Sequence, residues 1–135
     1  MSDQFAVGGD LAAPSEADIR IGVYLRQGGL CARSGNPLGS SWSCHHRRLR
    51  SGQGSDLPSN RIGLTGSGTT GDHGWVHANP REARINGWIV SKYADPARQP
   101  VFIHGLGWVL LDDDFGRTPW GEEIPGWLPG PETSR

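Results

Sequence analysis

With 135 residues, 35% of them hydrophobic, and 21 Gly and 10 Pro, the chain has room for one domain with tails and a small, loop-rich core of the kind that often needs a metal or a partner. No apolar run approaches the roughly 20 residues that cross a bilayer, nothing resembles a signal peptide, and Cys31 and Cys44 are too few for a disulfide scaffold, which together predict a soluble cytoplasmic protein with reduced thiols and no membrane partner. The net charge of −1 hides a segregation: from Arg20 to Arg61 seven arginines face Asp56 alone, while acids dominate the first eighteen residues and the stretch after Leu111, so a polyanion gripped at one face competes with ordinary solvated charge as the reading.

In chain order, residues 1–14 lack periodicity and read as a flexible arm. Ser15 with Glu16 and Asp18 then forms a helix start, and a helix is expected from about Glu16 to Gln27, with Ile21, Tyr24 and Leu25 on its apolar stripe and Gly28-Gly29 as its stop. The alternation of Ile19, Ile21, Val23 and Leu25 leaves a strand as the rival reading. LCARSGNPLG (30–39) reads as a turn or knuckle, SWSCHHRRLR (41–50) as a strand, SGQGSDLPSN (51–60) as a loop, and RIGLTG (61–66) as a returning strand of a long-looped hairpin. GSGTTG (66–71) leads into a short helix of about 72–78, and Asn79-Pro80-Arg81-Glu82 starts a second of about 80–86 with Asn79 as its cap. WIVSKY (88–93), VFIH (101–104) and WVLL (108–111) read as strands of a small appended sheet, and residues 116–135 as an irregular tail. The fold class is α+β, with one domain over 15–115.

Four of the five histidines fall in one short segment: His45 and His46 are adjacent, and His73 and His77 are four apart, which puts both rings on one face of a helix. A neutral imidazole ligates divalent metals and can also take a proton from water, so the segment holds the makings of a metal site and a base. Gly74 after His73 removes the zinc-protease pattern, and GSGTTG lacks the Gly-Lys-Ser/Thr ending of a phosphate loop. Trp75, Trp88 and Trp108 read as core, and His104 as a core or edge residue.

The order HH, about fourteen residues, Asn60, then H-x-x-x-H resembles the HNH endonucleases, whose fold is the ββα-metal finger: a hairpin and a helix clamping one ion. The chain resembles in particular the small HNH endonucleases of actinobacterial phages, through RQGGLCARSG (26–35), HHRRLRSGQGSDLPSN (45–60), RIGLTGSGTTGDHGWVH (61–77), GWIV (87–90), Pro100-Val101 and the W-x-L-L-D-D string at 108–113. This likeness covers roughly residues 20–115 and implies a ββα core over about 41–86. It implies His46 as the general base and His45, His73 and His77 as ligands of one divalent ion, Mg²⁺, Mn²⁺, Ni²⁺ or Zn²⁺. Asn60 would fix the hairpin loop and aim the base. Because neighbouring strand residues face opposite ways, His45 and His46 can share a cleft only at a bulge or a strand end. Arg47, Arg48 and Arg50, which follow the histidine pair, and Arg61 are the expected nucleic-acid contacts, against plain surface as the alternative.

The resemblance further implies a DNA substrate, a phage source and a role beside terminase and other packaging proteins. A catalytically silent DNA-binding module and an RNA-directed or toxin-like nuclease are the alternatives. Relatives often carry a structural zinc on four cysteines. Here those positions are Cys31, Ser34, Thr65 and Asp72, a poor zinc set, so no structural zinc is expected, and Asp72 is expected to cap its helix in preference to supporting the catalytic ion.

Overall fold

The computed structural model describes residues 14–121, and the arm up to residue 13 and the tail from residue 122 lie outside them. Helix α1 spans Glu16–Arg26. Its start is a capping box: Ser15 Oγ accepts from the Asp18 amide at 3.1 Å, and the Asp18 carboxylate accepts from the Ser15 amide at 3.4 Å. Gly28 and Gly29 follow at φ of 66° and 76°, left-handed values that end the helix. The helix is therefore the correct member of the helix–strand pair, but its stripe is not the expected one. Ile21 and Leu25 are 60% and 71% exposed, whereas Ile19, Val23 and Arg26 face inward. Ile19 and Val23 pack with Cys44, Trp42 and Phe115 in a small cluster between the helix and the hairpin.

Strand β1 is Trp42–His46 and β2 is Arg61–Thr65, antiparallel from Trp42 opposite Thr65 to His46 opposite Arg61. β1 is shorter than the sequence suggested because Arg47 leaves the ladder and enters the core. The long connection contains two single 3₁₀ turns, Arg50–Gly52 and Pro58–Asn60. Helices α2 (Gly71–Ala78) and α3 (Pro80–Ile85) break at Asn79 as expected. Asn79 makes no side-chain cap for α3; its amide Nδ2 instead donates to the Trp75 carbonyl at 2.8 Å and closes α2.

Residues 88–93 form turns instead of the expected strand. The amides of Trp88 and Ile89 both go to the Ala83 carbonyl at the end of α3, and that of Val90 to the Arg47 carbonyl, so no row of donors is left for a sheet. The second sheet consists of β3 (Val101–Ile103), β4 (Gly107–Leu111) and β5 (Arg117–Pro119), antiparallel in that order. β5 falls in the segment read as irregular tail, where three exposed residues with a proline give little strand signal.

The main core joins Ile62 and Leu64 of β2, Val76 of α2, Trp88, and Val101, Ile103, Val109 and Leu111 of the second sheet, with Cys31 and Ala32 from the knuckle. The described residues thus form an α+β domain of three α-helices and two small antiparallel sheets. Among the described residues no helix is long and apolar enough to cross a membrane.

Candidate metal centre

His45 lies inside β1, and His46 is that strand's last residue. The ladder shows no bulge there, so the strand end meets the requirement that both side chains share a cleft. Both line a cavity of about 430 Å³, together with Cys44, Leu49, Arg50, Ser51 and the two α2 histidines, His73 and His77; no carboxylate lines it.

Ligand nitrogens of His45, His73 and His77 lie within 4.8 Å of one another. The ring centroids of His45 are 4.9 Å from His73 and 5.4 Å from His77, and those of His73 and His77 are 4.7 Å apart. The Nε2 atoms of His73 and His77 approach to 3.0 Å. Metal–nitrogen bonds of about 2.0–2.1 Å in a tetrahedral site separate ligand atoms by roughly 3.3 Å, so modest ring rotations would close the set.

Three further observations suit these rings to a cation. His45 Nε2 lies 2.7 Å from the Trp88 carbonyl oxygen. A carbonyl only accepts, so the proton sits on Nε2 and the lone pair on Nδ1, the arrangement expected of a ligating histidine oriented from behind. Burial lowers the pKa of His45 to about 3 and that of His73 to about 4, with the neighbouring imidazoles adding to both shifts, so protons do not compete for the ligand lone pairs near neutrality. Finally, Nε2 of His73 and Nε2 of His77 face each other, so two ligand atoms from one helix point to one place; His73 Nδ1, the other nitrogen of that ring, is buried with no hydrogen-bond partner. An all-imidazole set favours Mn²⁺, Ni²⁺ or Zn²⁺ over Mg²⁺, which prefers oxygen.

His46 stands at the edge of this cluster. Its Nε2 is 2.7 Å from Asp56 Oδ1, and the hydrogen bond from the ring holds the Asp56 carboxyl below its ordinary value. An ionised carboxylate only accepts, so the contact places a proton on Nε2 and leaves Nδ1 as the basic nitrogen of the neutral ring. Asp56 was not among the residues expected from the sequence; one acid in a Gly/Ser loop carries no spacing signal.

Asn60 is buried and ties the long connection together. Its Oδ1 accepts from the Arg48 amide at 2.6 Å, and its Nδ2 donates to the carbonyls of Arg48 and Ser55 at 3.1 and 2.7 Å. The Asn60 carbonyl also accepts from the Arg47 amide. These bonds fix the chain just beyond His46 and hold the loop that carries Asp56.

Two of the four expected nucleic-acid contacts are corrected by the structure. Arg47 is fully buried, and its guanidinium donates to the carbonyls of Gly87, Ser59, Pro96 and Gln99 at 2.8–3.0 Å. Burial lowers its pKa to about 9, which still leaves it cationic at neutral pH. Arg61 is also internal: it pairs with Glu16 at 2.6 Å and donates to the Cys44 carbonyl at 2.8 Å. Neither guanidinium can reach a phosphate. Arg50 is exposed and lines the histidine cleft, and Arg48 is half-buried in a neighbouring groove.

Asp72 does not cap α2, whose cap residue is Thr70. Its Oδ2 accepts from Cys31 Sγ at 3.2 Å, Ser34 Oγ at 2.8 Å and Thr65 Oγ1 at 2.6 Å, while Oδ1 accepts from Arg33 at 2.6 Å. The four positions singled out against the cysteine pattern thus meet in space around one carboxylate. Burial pushes that carboxyl up, but the bonds from Thr65, Ser34, Cys31 and Arg33 outweigh it and hold the pKa below the ordinary value. Arg33 also stacks on Trp75, with its guanidinium carbon 3.6 Å from the ring centroid.

Comparison of the chain with protein-family models, with curated proteins and with solved structures finds no match.

Proposed function

We propose that the protein is a metal-dependent HNH endonuclease that hydrolyses DNA phosphodiester bonds, with the β1–β2 hairpin and α2 as its ββα-metal finger. The observation that carries this reading is the convergence of His45 from the hairpin with His73 and His77 from the helix, beside a fourth imidazole at the mouth of the same cleft. His45, His73 and His77 would hold one divalent ion. When bound, such an ion supplies charge stabilisation for a phosphate oxygen and the leaving 3′ oxygen.

The remaining work falls to the chain's own groups. His46 takes a proton from the attacking water, and Asp56 fixes the ring and its tautomer. Asn60 braces the loop behind both. Arg50, on the cleft wall, meets the phosphate backbone. DNA as the polymer, a phage source and a place beside packaging proteins rest on the family resemblance alone.

Nicking of supercoiled plasmid by the full chain with added Mn²⁺, Ni²⁺, Zn²⁺ or Mg²⁺ tests the reading. His46→Ala is expected to lose about 10²–10⁴-fold in rate while keeping its metal. Equal rates for wild type and variant would remove His46 from the chemistry, and metal-independent inertness of the wild type would favour a silent DNA-binding module.

A further inference from the structure

A second groove of about 510 Å³ adjoins the histidine cleft and shares Leu49 and Ser51 with it. Its other walls include Gly52, Arg84 of α3, Ile89, Val90 and the turn Ser91-Lys92-Tyr93. No carboxylate is among its lining residues, so the cations Arg50, Arg84 and Lys92 border a continuous path on which the nearest acid described is Asp56, held by His46 at the wall of the histidine cleft. The groove next along, which contains Lys92 and Tyr93 as well, carries Asp95 and Asp113, so the anion-compatible path ends at Tyr93.

Tyr93 is 87% exposed, the most of any large hydrophobic side chain among the described residues. An aromatic ring exposed beside a cationic groove offers a flat face on which a planar apolar group can stack. Lys92 Nζ lies 5.2 Å from the Tyr93 ring centroid, which keeps a charge beside the ring. The turn itself is anchored: Tyr93 and Ala94 amides donate to Ser91 Oγ and the Ser91 carbonyl, and the Val90 amide donates to the carbonyl of buried Arg47. Gly52 packs so closely under Lys92 that a Cβ there would sit 2.9 Å from the Lys92 Cβ.

We propose that this groove is a binding track for one unpaired DNA strand leaving the histidine cleft, with Arg84 and Lys92 on its phosphates and Tyr93 stacked on a base. The inference rests on the nuclease reading for the polymer it names. The strand is unpaired because a base inside a duplex is already stacked on its neighbours and cannot offer a face to Tyr93.

The test is fluorescence-anisotropy titration of the full chain, in chelator so that no cutting intervenes, with a labelled oligothymidylate of about 15 nucleotides and with a duplex of the same length. Tyr93→Ala is expected to weaken oligothymidylate binding at least about 10-fold and duplex binding little, and Tyr93→Phe is expected to restore it. Lys92→Ala and Arg84→Ala are each expected to reduce the slope of log K against log salt by about 0.7. Unchanged oligothymidylate binding in Tyr93→Ala overturns the track, even if plasmid nicking stands. Tyr93-dependent binding in a chain that never nicks supports the track and removes the nuclease reading. Equal loss for single strand and duplex, or a preference for oligouridylate RNA, overturns the unpaired DNA strand as occupant.

Discussion

His45 shows how much one buried side chain is asked to do. It sits in the hairpin at 2% exposure, donates from Nε2 to the Trp88 carbonyl, which leaves the lone pair on Nδ1, and clusters with His73 and His77. Its folded-state pKa is depressed to about 3 by burial, well below the unfolded value of about 6.5. As pH falls through 6.5 the unfolded chain therefore takes up a proton that the folded chain refuses, and stability is lost across the window from 6.5 down towards 3. Between pH 7.5 and 4.5 this one group should cost the metal-free protein roughly 2–3 kcal/mol. Urea unfolding of wild type and His45→Gln at those two pH values checks it: the wild type should lose that much more stability on acidification, and parallel losses in both proteins would contradict the assignment.

At the same scale, the imidazoles were legible in the sequence because spacing is a geometric statement. Arg47 was misread because a run of charges does not say which member turns inward; only the four converging carbonyls reveal that. Asp56 was illegible for the opposite reason, since its partner His46 is ten residues away across a loop whose path no periodicity predicts.

Helix α2 supplies two of the three clustered imidazoles, so its seating decides whether the cluster exists. Asp72 holds that helix to the knuckle through Cys31, Arg33 and Ser34 and to the end of β2 through Thr65. Asp72→Ala would leave these donors facing one another without an acceptor, one of them a half-buried guanidinium. A loss of about 2–4 kcal/mol is expected, on the order of 10 °C in melting temperature for a domain of this size. A melting temperature within a degree or two of wild type would show that packing around Trp75 seats the helix without the carboxylate. The break between α2 and α3 could be read from Asn79-Pro80, and the hairpin from its histidine and glycine punctuation. The apolar stripe of α1 and the turns at 88–93 could not: Ile21 and Ile19 are equivalent until the hairpin is placed, and the Val90 amide is claimed by the carbonyl of Arg47, a residue remote in sequence.

Across the whole molecule, the basic segment divides into inside and outside. Arg26, Arg47 and Arg61 act as internal struts, each donating to backbone carbonyls where a larger protein would place apolar core. Hence the cationic face is smaller than the sequence total suggests and is completed by Arg84 and Lys92, which lie far along the chain and carried no pattern. Nucleic-acid binding should accordingly be modest and strongly salt-dependent. The same folding brings the hairpin, α2 and the turn at Ser91 to one side, where the histidine cleft and the groove beside it meet.

The most direct measurement is metal stoichiometry: equilibrium dialysis of the full chain against Mn²⁺, Ni²⁺ or Zn²⁺, followed by elemental analysis, for wild type, His73→Ala and His46→Ala. One ion per chain in wild type and His46→Ala, with at least a tenfold weaker affinity in His73→Ala, is the predicted result. No ion in the wild type, or an ion held equally well without His73, would contradict the three-imidazole centre and the function proposed from it.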